Sequence, residues 1–331
     1  MRIPELKIIT EDPLQILEST KDILMKPRFV SIDKKSINKT ANSILKRFQK
    51  GFSEQQLEMG TTGNMENDLQ LVFLENSVNF CFWPDKGITK WEVEWPFGKT
   101  IGGWYGLVSC FKRALAKSVP ILNVEYLSSL NIDDAKIFFR GINTVEIPLL
   151  KERIQNLRET GKILLENFDG KFINVLETSQ FDAIKLVKLL QKNFPSFNDI
   201  SSLDGKEVVF LKRAQICAND ISYILKEKHK KIAGLEKLTA FADYKLPQIL
   251  REFGVLRYND ALARAIDSLN KIPHDSREEI EIRAVTVWAV ELLRQEIKIM
   301  SAGEIDNTLW FMSQEIQQSS KPYHRTRTIY Y

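Results

Sequence analysis

The histidines, cysteines and carboxylates of this 331-residue sequence decide which chemistry it can perform. Only three histidines occur, His229, His274 and His324, and no two have the spacing of a metal-binding helix. The three cysteines lack CxxC spacing, so they suggest no thiolate zinc site. We therefore expect no metal ion and no cofactor. No phosphate-binding glycine loop or serine-nucleophile elbow is present either.

One carboxylate has an unusual setting, Asp243. It follows Phe241 and precedes a segment that is punctuated by Pro247 and Gly254. Proline is suited to the first helical position and glycine to the left-handed residue that ends a helix, so a short helix is predicted between them. Asp243 would lie near the positive end of that helix. It would either order the helix entry or act on a ligand, and the residues alone favour the first role.

Helical patterns dominate the elements that must position Asp243. Asn259 or Asp260 is expected to cap a second short helix over 261–269, which gives a helix-hairpin-helix outline. Apolar residues at helical spacing predict further helices, of which the clearest covers 280–300.

A short apolar run, followed by two segments of alternating apolar and polar residues, predicts a small antiparallel sheet in the first part of the chain. Its three strands are predicted over 71–74, 78–82 and 91–95. The fold class is therefore mainly α, with an α+β character. A soft boundary near Pro195 predicts an N-terminal lobe, 1–200, and a helical lobe with Asp243, 201–331, which form one functional unit with a substrate cleft between them.

Charge and hydropathy exclude several classes of partner. The 47 Lys and Arg residues nearly balance the 43 Asp and Glu residues, and a net charge of +4 is too small for a duplex-binding face. The longest stretch without charge, 100–111, is shorter than the roughly 20 residues of a membrane span. The N-terminus has no apolar signal region, so we expect a cytoplasmic protein without a membrane partner.

Longer passages of the sequence match one known family in the same order. These passages are Asn76–Trp83, Glu152–Arg153, Glu159–Glu166, Lys212–Gln215, Phe241–Gln248, Glu281–Arg283 with Trp288–Leu292, and His324–Tyr331. Through them the sequence resembles the queuosine salvage family, the queuosine 5'-phosphate N-glycosylase/hydrolases, over most of its length. The resemblance implies a fold like that of helix-hairpin-helix DNA glycosylases. It also implies hydrolysis of queuosine 5'-phosphate to queuine and ribose 5-phosphate.

The resemblance also assigns roles to individual residues. Asp243 matches the catalytic acid position of the family, and Phe241 and Ala242 would contact the base. Asp306 corresponds to a second acid that holds the base, with Trp310 or Phe241 available for stacking. For Asp306 the alternative is a cap of a helix over 308–316.

Other substrate contacts are expected from basic and polar residues elsewhere. The candidates for the 5'-phosphate are Lys206, Lys212 and Arg213, with ordinary surface charge as the alternative. Further candidates in the tail are His324, Arg325 and Arg327, although this tail could instead dock through Ile329 and its tyrosines. Asn79 and Trp83 would line the mouth of the pocket. The family pattern also has a base-contacting histidine before the first predicted strand, whereas residues 57–60 contain none.

Two other functions stay open on these grounds. A DNA base-excision glycosylase would share the fold, but it needs a denser basic face and usually a glycine-rich hairpin. A non-catalytic protein that binds queuine or modified tRNA is the other alternative. The small-molecule hydrolase, without a stable nucleic-acid complex, is the function that we favour.

Overall fold

The computed structural model describes residues 11–51, 62–316 and 320–331, and within these ranges the chain is mainly helical. Fourteen α-helices and six short strands occur there, and the strands form three separate two-stranded antiparallel sheets. The prediction of a mainly α protein with a small antiparallel sheet is therefore confirmed. None of the helices in the described ranges has the length and apolar composition needed to cross a membrane.

Helices and strands alternate irregularly along the chain. The helices are α1 (Ile16–Met25), α2 (Lys35–Gln49), α3 (Met65–Ser77), α4 (Gly103–Ala116), α5 (Val124–Ser128), α6 (Ile132–Phe138), α7 (Leu150–Asn167), α8 (Phe172–Thr178), α9 (Ala183–Asn193), α10 (Lys212–Glu227), α11 (Lys245–Glu252), α12 (Asp260–Asp267), α13 (Arg277–Ile297) and α14 (Ala302–Glu315). The strands are β1 (Val30–Ile32), β2 (Glu92–Glu94), β3 (Thr100–Gly102), β4 (Ile200–Leu203), β5 (Lys206–Val209) and β6 (Leu256–Tyr258).

The chain divides into two compact units whose segments alternate along the sequence. The first unit contains the described residues before 58, together with Asp199–Gln215 and Gly234–Arg327. The second contains the described residues from 62 to 198, together with Ile216–Ala233 and Thr328–Tyr331. The sequence predicts a single boundary after residue 200, which lies beside the crossing at Asp199.

Helix α13 is the centre of the first unit. Ile282, Val285 and Trp288 are fully buried on it, and α1, α2 and α14 pack against it. One charged residue of α13, Glu281, is also fully buried. Its Oε1 accepts hydrogen bonds from the N–H groups of three consecutive residues, Arg28 at 2.8 Å, Phe29 at 2.5 Å and Val30 at 2.7 Å. This carboxylate therefore fixes the start of β1, which pairs with β6.

Helix α7 is packed closely in the second unit. A Cβ atom on Gly161 would lie 2.7 Å from the backbone of both Ser128 and Val124, so glycine permits the close approach of α5 and α7. Near the start of α7, the buried Arg153 guanidinium donates to the carbonyl groups of Val78, Phe80 and Cys81.

Two of the three predicted strands are wrong, and the contacts of Arg153 explain one of the two. Residues 71–74 lie in α3, and residues 78–82 have no regular structure. All residues of α3 from Asp68 onward are buried, so this helix shows no amphipathic pattern, and a short apolar run cannot distinguish it from a strand. The carbonyl groups of the second segment bind Arg153 rather than a neighbouring strand. The third prediction is confirmed by β2, which pairs with β3.

Candidate active site

Asp243 lies at the entry of α11, as predicted, and its carboxylate is half-buried. Its Oδ1 accepts hydrogen bonds from the N–H groups of Lys245 at 2.7 Å and Leu246 at 3.0 Å. Its Oδ2 accepts no hydrogen bond from the described residues. One oxygen is therefore fixed by the helix, while the other can interact with a ligand.

The two short helices of the predicted hairpin are present as α11 and α12. Gly254 has a left-handed φ of 72° after α11, and the Asn259 side chain accepts from the Leu262 N–H at 2.9 Å to cap α12. The predicted start is wrong by two residues, since α11 begins at Lys245 and Pro247 is its third residue. Asp243 binds the first two N–H groups, and proline is tolerated because N–H groups of the first turn lack intrahelical partners.

The residues that precede Asp243 are held from two directions. The N–H of Phe241 donates to Oδ2 of Asp306 at 2.7 Å, and the carbonyl of Ala242 accepts from Nε of Arg283 at 3.1 Å. Phe241, Ala242 and Arg283 are at most 1% exposed. Buried contacts on both sides thus fix the backbone that carries the Asp243 carboxylate.

Asp306 lies within α14 and does not cap a helix. Ser301 caps α14 instead, through a reciprocal capping box with Glu304. The cap alternative for Asp306 is therefore wrong. Trp310 follows Asp306 by four residues, which places both on the same face of α14. Its ring contacts Phe311, with centroids 5.1 Å apart. The structure therefore brings Asp306 together with Phe241, as a shared site requires.

Lys212 and Arg213 begin α10, and both residues are buried. The N–H of Lys212 donates to Oδ2 of Asp199 at 3.0 Å. Asp199 in turn forms a buried, two-pronged ion pair with Arg283, at 2.9 and 2.6 Å. The start of α10 is therefore connected through two side chains to the Ala242 carbonyl.

The remaining predicted contacts have different surroundings. Lys206 forms an ion pair with Asp22 at 2.7 Å in which both side chains are 74% exposed, so it is an ordinary surface residue. Asn79 and Trp83 are buried in the second unit, just after α3. Residues 57–60, where the family histidine is missing, lie outside the described residues.

The C-terminal tail is docked rather than frayed. The carbonyl of Arg325 accepts from the Ile272 N–H at 2.8 Å. Tyr331 is 1% exposed, and its backbone oxygen accepts from the Cys81 N–H at 2.9 Å. The tail therefore docks, as the alternative predicts, but Tyr331 is fully buried whereas Ile329 is only partly buried. Burial and the nearby Arg283 charge lower the pKa of His324 to about 3, so this imidazole is neutral at physiological pH.

One group in the described residues has the composition of a metal site. It consists of His274, Asp275 and Glu279, whose potential ligand atoms lie within 4.8 Å of one another. Glu279 also lies 3.7 Å from Nη1 of Arg283. Because that guanidinium already compensates the carboxylate, the group offers a cation less negative charge than its composition suggests.

Three residues around the site, Asp199, Arg283 and Lys245, have no role assigned from the sequence. Lys245 is 9% exposed, donates to Gln248 at 3.1 Å and lies 5.3 Å from the Tyr323 ring centroid. Arg283 does give a signal in the sequence, because a charged residue within an apolar helix is buried only when it has a partner. Asp199 gives none, since its loop resembles an ordinary connector.

Comparisons with known proteins find one family model and several curated relatives. The family model described as queuosine salvage protein matches residues 60–331. The chain is 36% identical to the queuosine 5'-phosphate N-glycosylase/hydrolase of Sphaerobacter thermophilus over 97% of its own length and 98% of that relative. It is 34% identical to the mouse protein of the same name, over 96% and 99% of the two chains. Its identity to the Schizosaccharomyces pombe protein of that name is 31%, over 80% and 83%.

Proposed function

The chain belongs to the queuosine salvage protein family, and we propose that it hydrolyses the N-glycosidic bond of queuosine 5'-phosphate. The products are queuine and ribose 5-phosphate. The carrying observation is the Asp243 carboxylate, which has one oxygen fixed by α11 and one that binds no described residue. An N-glycosyl hydrolase needs such a group beside the bond that breaks.

Asp243 acts on the sugar. As the base departs, the ribose gains oxocarbenium character, and a fixed carboxylate beside the anomeric carbon stabilises this positive charge. Oδ2 of Asp243 is the atom suited to this task, either by electrostatic stabilisation, by attack on the carbon or by activation of water. Since Oδ1 is held by two N–H groups, the carboxylate needs little reorganisation when the charge develops.

Asp306 acts on the base. Queuine is a 7-deazaguanine, so the ring nitrogen that other purine glycosylases protonate is a carbon atom. The proton that the departing base needs comes from water in the overall hydrolysis, while a carboxylate accepts hydrogen bonds from the N–H groups of a guanine-like edge and so holds the base in place. Asp306 is 4% exposed and already binds the Phe241 N–H, which supports a role beside Phe241 and Ala242. Trp310, on the same face of α14, would stack on the base.

Lys212 and Arg213 bind the 5'-phosphate in this proposal. Both are cations within a nearly buried helix start, where a charge-assisted contact to a phosphate is stronger than at the surface. The sequence offers Lys206 as an equal candidate, but its exposed pair with Asp22 supports no such role. Asn79 stays a proposed contact of the substrate.

The surroundings of this reaction are part of the same proposal. None of the three cysteines, all in the described part of the chain, forms a disulfide, which is typical of a reducing compartment such as the cytoplasm. The net charge of +4 suits a small anionic substrate better than a stable nucleic-acid complex.

Product release from three substrates tests the proposal. Purified protein is incubated separately with queuosine 5'-phosphate, unphosphorylated queuosine and queuosine-containing tRNA, and free queuine is measured by mass spectrometry. We expect release from the 5'-phosphate in preference to the other two. No release from any substrate would refute the hydrolase function and leave a non-catalytic binding protein.

A matched pair of variants tests the phosphate assignment. Lys212→Gln should reduce the preference for nucleotide over nucleoside, because it removes a buried cation. Lys206→Gln should leave this preference unchanged, since its charge is paired at the surface. An equal effect of both substitutions would contradict the assignment.

A further inference from the structure

Arg283 and Asp199 form a charged pair in the interior of the first unit. Both side chains are at most 2% exposed, and the guanidinium also lies 3.9 Å from the Phe210 ring centroid and 3.7 Å from Glu279. A buried ion pair is weak evidence of stabilisation, because desolvation offsets much of the attraction between the charges. A pair of this kind is better explained by the geometry that it imposes on its neighbours.

The guanidinium imposes geometry on the segment with Asp243. Its Nε donates to the carbonyl of Ala242 at 3.1 Å, and this carbonyl belongs to the peptide group that joins Ala242 to Asp243. Holding that carbonyl fixes the peptide plane from which the Asp243 side chain projects. Because Nη1 and Nη2 are both bound to Asp199, the guanidinium cannot rotate without losing the pair.

Asp199 imposes geometry on the start of α10. Oδ2 accepts from the Lys212 N–H at 3.0 Å, while the backbone carbonyl of Asp199 accepts from the N–H groups of Phe210 and Leu211, each at 3.1 Å. Three consecutive N–H groups before and at the helix start are therefore bound by one residue. The same residue that anchors Arg283 thus sets the position of Lys212.

We infer that Arg283 and Asp199 are positioning residues that align the carboxylate acting on the sugar with the cations that bind the 5'-phosphate. This inference rests on the proposed function. The groups that must engage the anomeric carbon and the 5'-phosphate of one nucleotide are connected through a single rigid, two-pronged contact. Binding energy from the phosphate is thereby used to place the glycosidic bond at Asp243, as expected when a remote group contributes to turnover.

Arg283→Lys tests the inference, because it keeps the charge but loses the planar fork. We expect kcat for queuosine 5'-phosphate to fall roughly tenfold to a hundredfold, the cost of a small misplacement of a reacting group. The preference for nucleotide over nucleoside should fall as well. The melting temperature and the KM serve to separate this effect from simple loss of stability.

Arg251→Lys is the matched control. Arg251 also forms a two-pronged pair, with Asp267 at 2.6 and 2.9 Å, and lies 5.0 Å from the Tyr258 ring centroid. In the described structure its side chain forms no hydrogen bond or ion pair with the Phe241–Asp243 segment. Arg251→Lys should keep kcat and the nucleotide preference even where it lowers the melting temperature.

Asp199→Asn provides a second variant with almost unchanged shape. It should lower both kcat and nucleotide preference, as Arg283→Lys does. Unchanged kcat in either folded variant would overturn the inference, and so would failure of both variants to fold, which would assign the pair to stability alone. Wild-type turnover is measured in parallel, so absence of activity in the wild type refutes the proposed function rather than the alignment.

Discussion

The buried carboxyl group of Glu75 should make the stability of the protein depend on pH. Glu75 lies on α3, is fully buried, and neither of its carboxyl oxygens forms a hydrogen bond with a described residue. Burial, reinforced by the nearby charge of Asp220, raises the pKa of Glu75 from 4.5 to about 8. The side chain is therefore mostly protonated at physiological pH.

The sign and size of the effect follow from these two pKa values. Between pH 4.5 and about 8 the folded protein holds a proton on Glu75 that the unfolded chain has released, so stability falls as the pH rises through this range. The difference between the two values corresponds to roughly 5 kcal/mol. Below pH 4.5 the contribution is fully present, and above about 8 it is lost.

Glu75→Gln removes the titration with little change of shape. The free energy of unfolding is measured by urea titration followed by circular dichroism, at several values from about pH 5 to about pH 9. We expect the variant to gain stability relative to the wild type as the pH rises, by up to roughly 5 kcal/mol.

Glu66→Gln is the control on the same helix. The Glu66 carboxylate is 53% exposed and lies 3.7 Å from Lys171, so its substitution should leave the pH dependence of the wild type almost unchanged. Parallel stability curves of Glu75→Gln and the wild type across this range would refute the reasoning, because Glu75 would then be ionised in the folded protein.

Three further substitutions should change stability in defined directions. His324→Gln should weaken the loss of stability as the pH falls from 6.5 towards about 3, since the pKa of the buried imidazole is lowered over that range; urea titrations in acid check this. Glu281→Gln should lower the free energy of unfolding by roughly 2–3 kcal/mol, because three N–H groups lose a charged acceptor, and an unchanged urea midpoint would contradict it. Gly161→Ala should lower the melting temperature through a cost of about 1–3 kcal/mol, because its Cβ meets backbone atoms of α5, and normal melting would show that α5 moves freely.

The sequence predicts local features of this fold better than buried ones. The left-handed Gly254 and the Asn259 cap depend on neighbouring residues alone, so their prediction is confirmed. Helix α3 resembles a strand in sequence because burial on all sides erases the pattern that distinguishes the two structures.

In the site, too, the sequence predicts some residues and misses the contacts between buried ones. Asp243 and Asp306 are identified by resemblance to the family, and the structure brings both to the segment around Phe241. The pairing of Arg283 with Asp199 joins residues 84 positions apart, and no sequence pattern specifies such a contact. Lys206 and Lys212 look alike in sequence, and only burial separates them.

Turnover by Asp243→Asn tests the central claim most directly. The substitution keeps the shape of the side chain and an oxygen that can accept the N–H groups of α11, but it removes the negative charge. We expect the folded variant still to bind queuine in a separate binding measurement. Its kcat with queuosine 5'-phosphate as substrate should fall by roughly 10²–10³-fold or more. A folded Asp243→Asn protein that releases queuine at the wild-type rate would contradict the assignment of Asp243 as the catalytic carboxylate.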